Sequence, residues 1–114
     1  MGMCAEIIAV GSYSARIADF LDYHRDRYAT TREGAVVTRR LFGISEGSGL
    51  SREFAALLGI MDPWDFNQHE IDPSRVDVPG LREFGRRYPD YEDDVRIFEA
   101  LRAAGFKFHF RPEG

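Results

Sequence analysis

The chain has 114 residues, enough for one domain built around one core, expected to span 1–114. A hydrophobic fraction of 44%, a charged fraction of 30% and an aromatic fraction of 13% exclude a disordered or low-complexity chain. The net charge of −4 argues against nucleic acid as a partner, because phosphate binding needs a positive field. The lone cysteine, Cys4, excludes an intramolecular disulfide.

Of the fifteen basic residues only Lys107 is lysine, a bias that points to a GC-rich, bacterial source. The longest apolar run, Ile7 to Val10, falls far short of the roughly 20 residues that span a bilayer, so no membrane partner is expected. The start lacks the basic and long apolar regions of a secretion signal, and a cytoplasmic location is expected.

Cys4 to Val10 is a nearly continuous apolar run with β-branched residues, which reads as a central strand covered on both faces. Ile17, Phe20, Leu21, His24 and Tyr28 then recur at helical spacing, predicting a helix from about Ala15 to about Arg27. Thr30 to Gly34 is a turn region. Ala35 to Phe42 reads as a second strand whose alternation breaks at Arg39-Arg40, since Val37 and Phe42 cannot share a face of a regular strand; a bulge at that pair, or a half-strand buried on both sides, would explain it.

Gly43 to Gly49 is expected as a loop. Leu50, Phe54, Leu57 and Leu58 predict a short amphipathic helix that starts at Ser48 or Ser51 and has Gly59 at its C′ position. The segment Met61 to Pro73 holds two Asp-Pro cap signals, Asp62-Pro63 and Asp72-Pro73, and is expected as two brief helical turns around a polar stretch.

Pro79 to Tyr88 forms a further helix, and Pro89-Asp90 stops it and caps the next. In that last helix Tyr91, Val95, Phe98 and Leu101 face inward, while Glu92 with Arg96, and Glu99 with Arg102, are spaced to pair. Gly105 ends it. Phe106 to Arg111 alternates without a fault, a strand with one packed and one basic face. The elements together predict an α+β, two-layer sandwich: a small three-stranded sheet covered by about four helices, in the order β-α-β-α-α-α-β.

Candidate chemistry is sparse. Cys4 stands at the head of a buried strand in no nucleophile motif and is expected to be a plain buried thiol. The loop Gly43 to Arg52 lacks both the third glycine of a dinucleotide fingerprint and the Gly-Lys-Ser/Thr of a P-loop, although Arg52 on the first helical turn would suit weak anion binding. Asp62, Asp65, Asn67, His69, Glu70 and Asp72 match no calcium-loop or zinc spacing, so no metal and no cofactor is expected. His109, between Lys107 and Arg111, could join Arg39-Arg40 in a basic patch, with a solvated sheet face as the plainer account.

The binding residues singled out are therefore Trp64, Asp65, Asn67, Gln68, His69 and Glu70, together with Arg52. Trp64 is the single Trp, and dense hydrogen-bonding groups follow it on a loop held by rigid elements. The expected function is a protein-binding module without catalytic activity, an immunity-type inhibitor of a basic partner being one concrete form. The alternative is a small-ligand-binding protein or enzyme that uses His69 as acid or base, oriented by Glu70 or Asp65. A homodimer that covers an exposed sheet face is a third arrangement.

Overall fold

A computed structural model of the protein describes residues 4–23, 30–44, 48–60 and 69–113. Their elements are β1 (Cys4–Ser12), α1 (Ala15–Tyr23), β2 (Thr31–Glu33), β3 (Val36–Ile44), α2 (Ser48–Leu57), β4 (His69–Glu70), α3 (Val78–Arg87), α4 (Glu92–Ala103) and β5 (Lys107–Glu113). Single 3-10 turns at Pro73–Arg75 and Pro89–Tyr91 precede α3 and α4. The fold is α+β, as the sequence pattern predicts.

The sheet is antiparallel in the order β2-β3-β1-β5-β4. The three predicted strands form its middle, and a short strand is added at each edge. Thr31–Glu33, expected as part of a turn, pairs with Val36–Thr38 to make a hairpin. His69–Glu70, expected in a loop, pairs with His109–Phe110. Two or three residues are too few for a periodicity to show, so only the register exposes these edges. β1 and β2 run in the same direction on either side of β3, which is the split β-α-β arrangement.

One face of this sheet carries the core. Ala5, Ile7 and Ala9 on β1 share it with Phe108 and Phe110 on β5, and all are buried. Phe98 of α4 meets Phe108 with ring centroids 4.4 Å apart, and Phe54 of α2 lies 4.7 Å from Phe42 and 6.3 Å from Phe110. Phe84 of α3 extends the cluster to Tyr88 and Tyr91. Each fully buried Phe contributes about 1.5–3 kcal/mol of transfer free energy. β1 was expected to be covered on both faces. Among the described residues the helices cover one face, while on the other Glu6 is buried and Ile8 and Val10 are half-buried.

The irregularity of β3 is a bulge, placed at Phe42 rather than at Arg39-Arg40. Ala5 pairs with Ile44 and Ile7 with Leu41, so β3 spends three residues where β1 spends two. Leu41 and Ile44, three apart, would lie on opposite faces of a regular strand. The extra residue brings Leu41, Phe42 and Ile44 all into the core, fully buried. Phe42 adopts φ of 69°, a left-handed conformation that costs a non-glycine residue about 1–2 kcal/mol. Upstream of the bulge the alternation is regular, so Arg39 follows Val37 inward and is buried, donating from Nη1 to the Thr30 hydroxyl at 3.2 Å. The strand continues through Gly43 and Ile44, which were expected in the loop.

Helix ends follow local chemistry. Asp77 caps α3 by accepting from the Gly80 amide, and Asp72 caps the 3-10 turn by accepting from the Ser74 amide. Asp90 does not cap α4. Tyr91 holds that position without a side-chain bond, and Asp90 lies inside the preceding turn. Glu92 pairs with Arg96 at 2.9 Å as spaced, whereas Glu99 reaches Arg82 of α3, leaving Arg102 to donate to the Pro73 carbonyl. α1 is described to Tyr23, and the remainder of its expected span lies outside the described residues.

α2 and α4 both end in a Schellman motif at the predicted glycines. Ile60 N–H donates to Ala55 and Gly59 N–H to Ala56; Phe106 N–H donates to Leu101 and Gly105 N–H to Arg102. The glycines sit at φ of 76° and 85°. A Cβ on Gly105 would meet nothing within 4 Å, but one on Gly59 would lie 2.7 Å from Arg75 Cβ. Gly105→Ala is therefore expected to cost only the left-handed penalty, about 1–2 kcal/mol, and Gly59→Ala measurably more. Equal losses in urea-unfolding midpoints at unchanged slope would contradict this account of the two ends.

Candidate functional site

Among the described residues the aromatic packing lies on one side of the sheet, and the other side is a second, chemically different surface. Its register places Val36, Thr38 and Arg40 of β3 beside Ser12, Val10 and Ile8 of β1. Across β1, Lys107, His109 and Arg111 of β5 stand opposite Val10, Ile8 and Glu6. Thr31 and Glu33 continue the face on β2, and Glu70 continues it on β4 beside His109. Val36 is 48% exposed, the most exposed large hydrophobic side chain among the described residues, while its neighbour Val37 is 2% exposed. The face is mixed: Ile8, Val10 and Val36 stand beside a line of basic residues.

Glu6 organises the charges. It is only 4% exposed, although it belongs to this face. Arg40 donates to Oε2 of Glu6 through both Nε, at 2.9 Å, and Nη2. Arg111 brings Nη1 to 3.7 Å of Oε1, an atom with no hydrogen-bond partner. One buried carboxylate on the central strand thus holds guanidiniums from the strands on both sides, and each Arg side chain stays about half exposed. Arg forks suit this use because their planar donors match a carboxylate.

The expected site residues are placed as follows. Trp64, Asp65, Asn67 and Gln68 lie outside the described residues. His69 enters as the first residue of β4, in register with Phe110, and the placement of its side chain likewise lies outside the description. Glu70 is exposed on the open face beside His109. Arg52 is exposed on α2, and Ile71 is buried, as its inward packing requires. The expected basic patch is half formed: Lys107, His109, Arg111 and Arg40 share a face, and Arg39 is excluded because alternation sends it into the core. Sequence reading overlooked Glu6. Its one signal was a carboxylate inside an apolar strand run, and its partners, 34 residues and more away, depend on register.

Neither Arg52 nor Glu70 lines the described surface grooves. The one between α1 and the end of α4, lined by Ile17, Phe20, Ala100 and Ala103, holds about 350 Å³ and is mostly apolar. Two others, beside Arg102 and Lys107 and between α3 and α4, are shallow and open. Among the described residues no three of His, Cys, Asp and Glu converge as metal ligands, and no helix is long and apolar enough to cross a membrane. No protein-family model matches the chain, and none of the curated proteins or solved structures compared with it is significantly similar.

Electrostatics elsewhere serve the helices. The Arg87 guanidinium is raised above its ordinary range by its hydrogen bond to Glu53, joining α3 to α2, and Arg82 is raised likewise by Glu99, joining α3 to α4. The Asp72 carboxyl is held below the usual carboxylate range by the Ser74 hydroxyl, then by the Ser74 amide. A depressed folded-state value means that the cap stabilises above the ordinary Asp range and weakens as pH falls. The destabilisation caused by Asp72→Ala is accordingly expected at neutral pH and should shrink as pH falls below the ordinary Asp range. A penalty that stays constant across this range in thermal unfolding would contradict the charged cap.

Removing Arg40 tests the open face in the same way. Arg40→Ala leaves Glu6 covered with one partner fewer, and a loss of about 1–2 kcal/mol is expected after allowance for the exposure of the pair. The double variant Glu6→Gln/Arg40→Ala should recover part of it, because no unbalanced carboxylate remains buried. Strictly additive losses in urea denaturation would show that the two side chains do not act together.

Proposed function

We propose that the protein is a non-catalytic protein-binding module working through the open face of its sheet. The observation that carries this reading is the face itself: Ile8, Val10 and the exposed Val36 stand on it among Arg40, Lys107, His109 and Arg111. Protein–protein interfaces likewise combine apolar side chains with polar and charged ones.

The join at β4 supports the same reading. It stitches the end of the Asp62–Asp72 segment to the sheet edge, with Glu70 on the open face. The same segment holds Trp64, of the residue type most enriched at binding hot spots. An immunity-type inhibitor is one form that such a module takes.

Affinity capture of the tagged protein from its cells of origin tests this. One stoichiometric partner is expected, retained by the parent chain and lost from Trp64→Ala and from Val36→Glu/Thr38→Glu, two positions on the open face. Absence of any partner, or a partner held equally by the face variant, would contradict the reading.

A further inference from the structure

We infer that the groove between α1 and the end of α4 is a binding site for a small amphipathic carboxylate, an anionic head on an aliphatic chain of medium length, with Arg16 holding the head. The site shares no residue with the open face of the sheet and is independent of what binds there.

The groove follows from the sequence of the two helices. Ile17 and Phe20, three apart, share one side of α1, and both stay half-buried although they pack against the core cluster. Ala100 and Ala103 of α4, with Ala104 at its C-cap, line the other wall. An alanine side chain ends at Cβ and cannot reach across, so about 350 Å³ stays open between the helices. Leu21, the residue after Phe20, is 1% exposed, so α1 itself is seated on the core. Water in the groove faces apolar walls, and an aliphatic chain that replaces it gains the transfer free energy of its methylenes.

The polar groups of the lining set the class of ligand. Only Ser14 and Arg16 are polar, and both stand at the start of α1, so polarity is confined to one end of the groove. The Ser14 hydroxyl is committed to the helix, accepting from the Ile17 amide at 3.1 Å. Arg16 is exposed, and among the described residues it has no hydrogen bond or ion pair. No carboxylate lines the groove: Asp19 of α1 lies outside the lining, and Glu99, beside Ala100 in the chain, is engaged by Arg82.

An apolar trough with one free guanidinium at its end and no acid along it complements an apolar body with an anionic head. The groove between α3 and α4 is the contrast, because its arginines, Arg82, Arg86 and Arg96, are paired with Glu99, Glu83 and Glu92. The volume lies near the small end of the roughly 300–1,000 Å³ of ligand sites, which favours a medium chain over a long one. A helix from a partner protein fits worse. Such helices seat anchors over two turns, whereas the lining spans one turn on each side, Ile17 to Phe20 and Ala100 to Ala104.

The test is an NMR titration of the intact protein with sodium octanoate below its micelle concentration, run beside butanoate, hexanoate, octanol and octyltrimethylammonium. Octanoate is expected to shift the signals of Ile17, Phe20, Ala100, Ala103 and Ala104. Affinity should rise about two- to fourfold for each methylene added from butanoate to octanoate. Arg16→Glu should bind octanoate about tenfold more weakly and octanol as before, because it turns one exposed attraction into a repulsion. Ala100→Leu fills the groove and should weaken octanoate and octanol alike. Ala104→Leu, at an exposed position, makes the same test should Ala100→Leu disturb the fold.

A flat octanoate titration, or shifts spread over the sheet, would overturn the site. Octanoate binding undiminished in the filled variants would overturn it as well. Equal affinity for octanol or octyltrimethylammonium, or indifference to Arg16→Glu, would overturn the anionic head and the role of Arg16.

Discussion

Aromatic packing on one face of the sheet is the constraint from which the rest follows. Phe108 and Phe110 point the same way because a strand alternates, and β5 has no apolar residue at the positions between them. Phe54 and Phe98 meet that face from α2 and α4, and Phe84 of α3 packs on Phe54, so these three helices build on one side of the sheet. Among the described residues, the strands place no Phe, Tyr or Trp on the second side. The composition of that side, half apolar and half charged, is that of a surface that can be wetted and can also be covered.

The bulge at Phe42 reconciles two demands on β3. Upstream, the strand must keep Arg40 on the open side, where it reaches Glu6. Downstream, it must send both Phe42 and Ile44 into the core. No regular strand does both, and one residue in a left-handed conformation does. The cost in backbone strain is about 1–2 kcal/mol, smaller than the transfer free energy of the two side chains it buries. Because the bulge lies across from Glu6, the same irregularity that completes the core adjoins the charged centre of the open face.

How much of this could be read in the sequence depended on how local each feature is. The perfect alternation of Phe106 to Arg111 showed which face of β5 is packed, and Gly59 and Gly105 marked helix ends by their own backbone chemistry. Both are properties of a few consecutive residues. β1 was misread because Ile8 and Val10 are apolar on the open face, and an apolar residue does not reveal whether a helix or a partner covers it. The broken alternation of Val37 and Phe42 signalled a bulge as one of two accounts but not its position, which is Phe42, and Arg39 follows the regular alternation inward beside Thr30. Glu6 escaped notice because its meaning depends on pairings with β3 and β5 made far along the chain. Of the expected binding residues Glu70 falls at the margin of the face and Arg52 away from it on α2, while Trp64 to Gln68 stand outside the described residues.

The central claim is that the sheet has one covered and one open face, and adjacent residues of β3 test it most directly. Methyl relaxation of Val36 and Val37 in the presence of a soluble, uncharged paramagnetic agent reads the accessibility of each. The account predicts strong enhancement at Val36, 48% exposed, and almost none at Val37, 2% exposed. Equal protection of the two would mean that the second face is already covered in the free protein. The reading of that face as a docking surface would then fail.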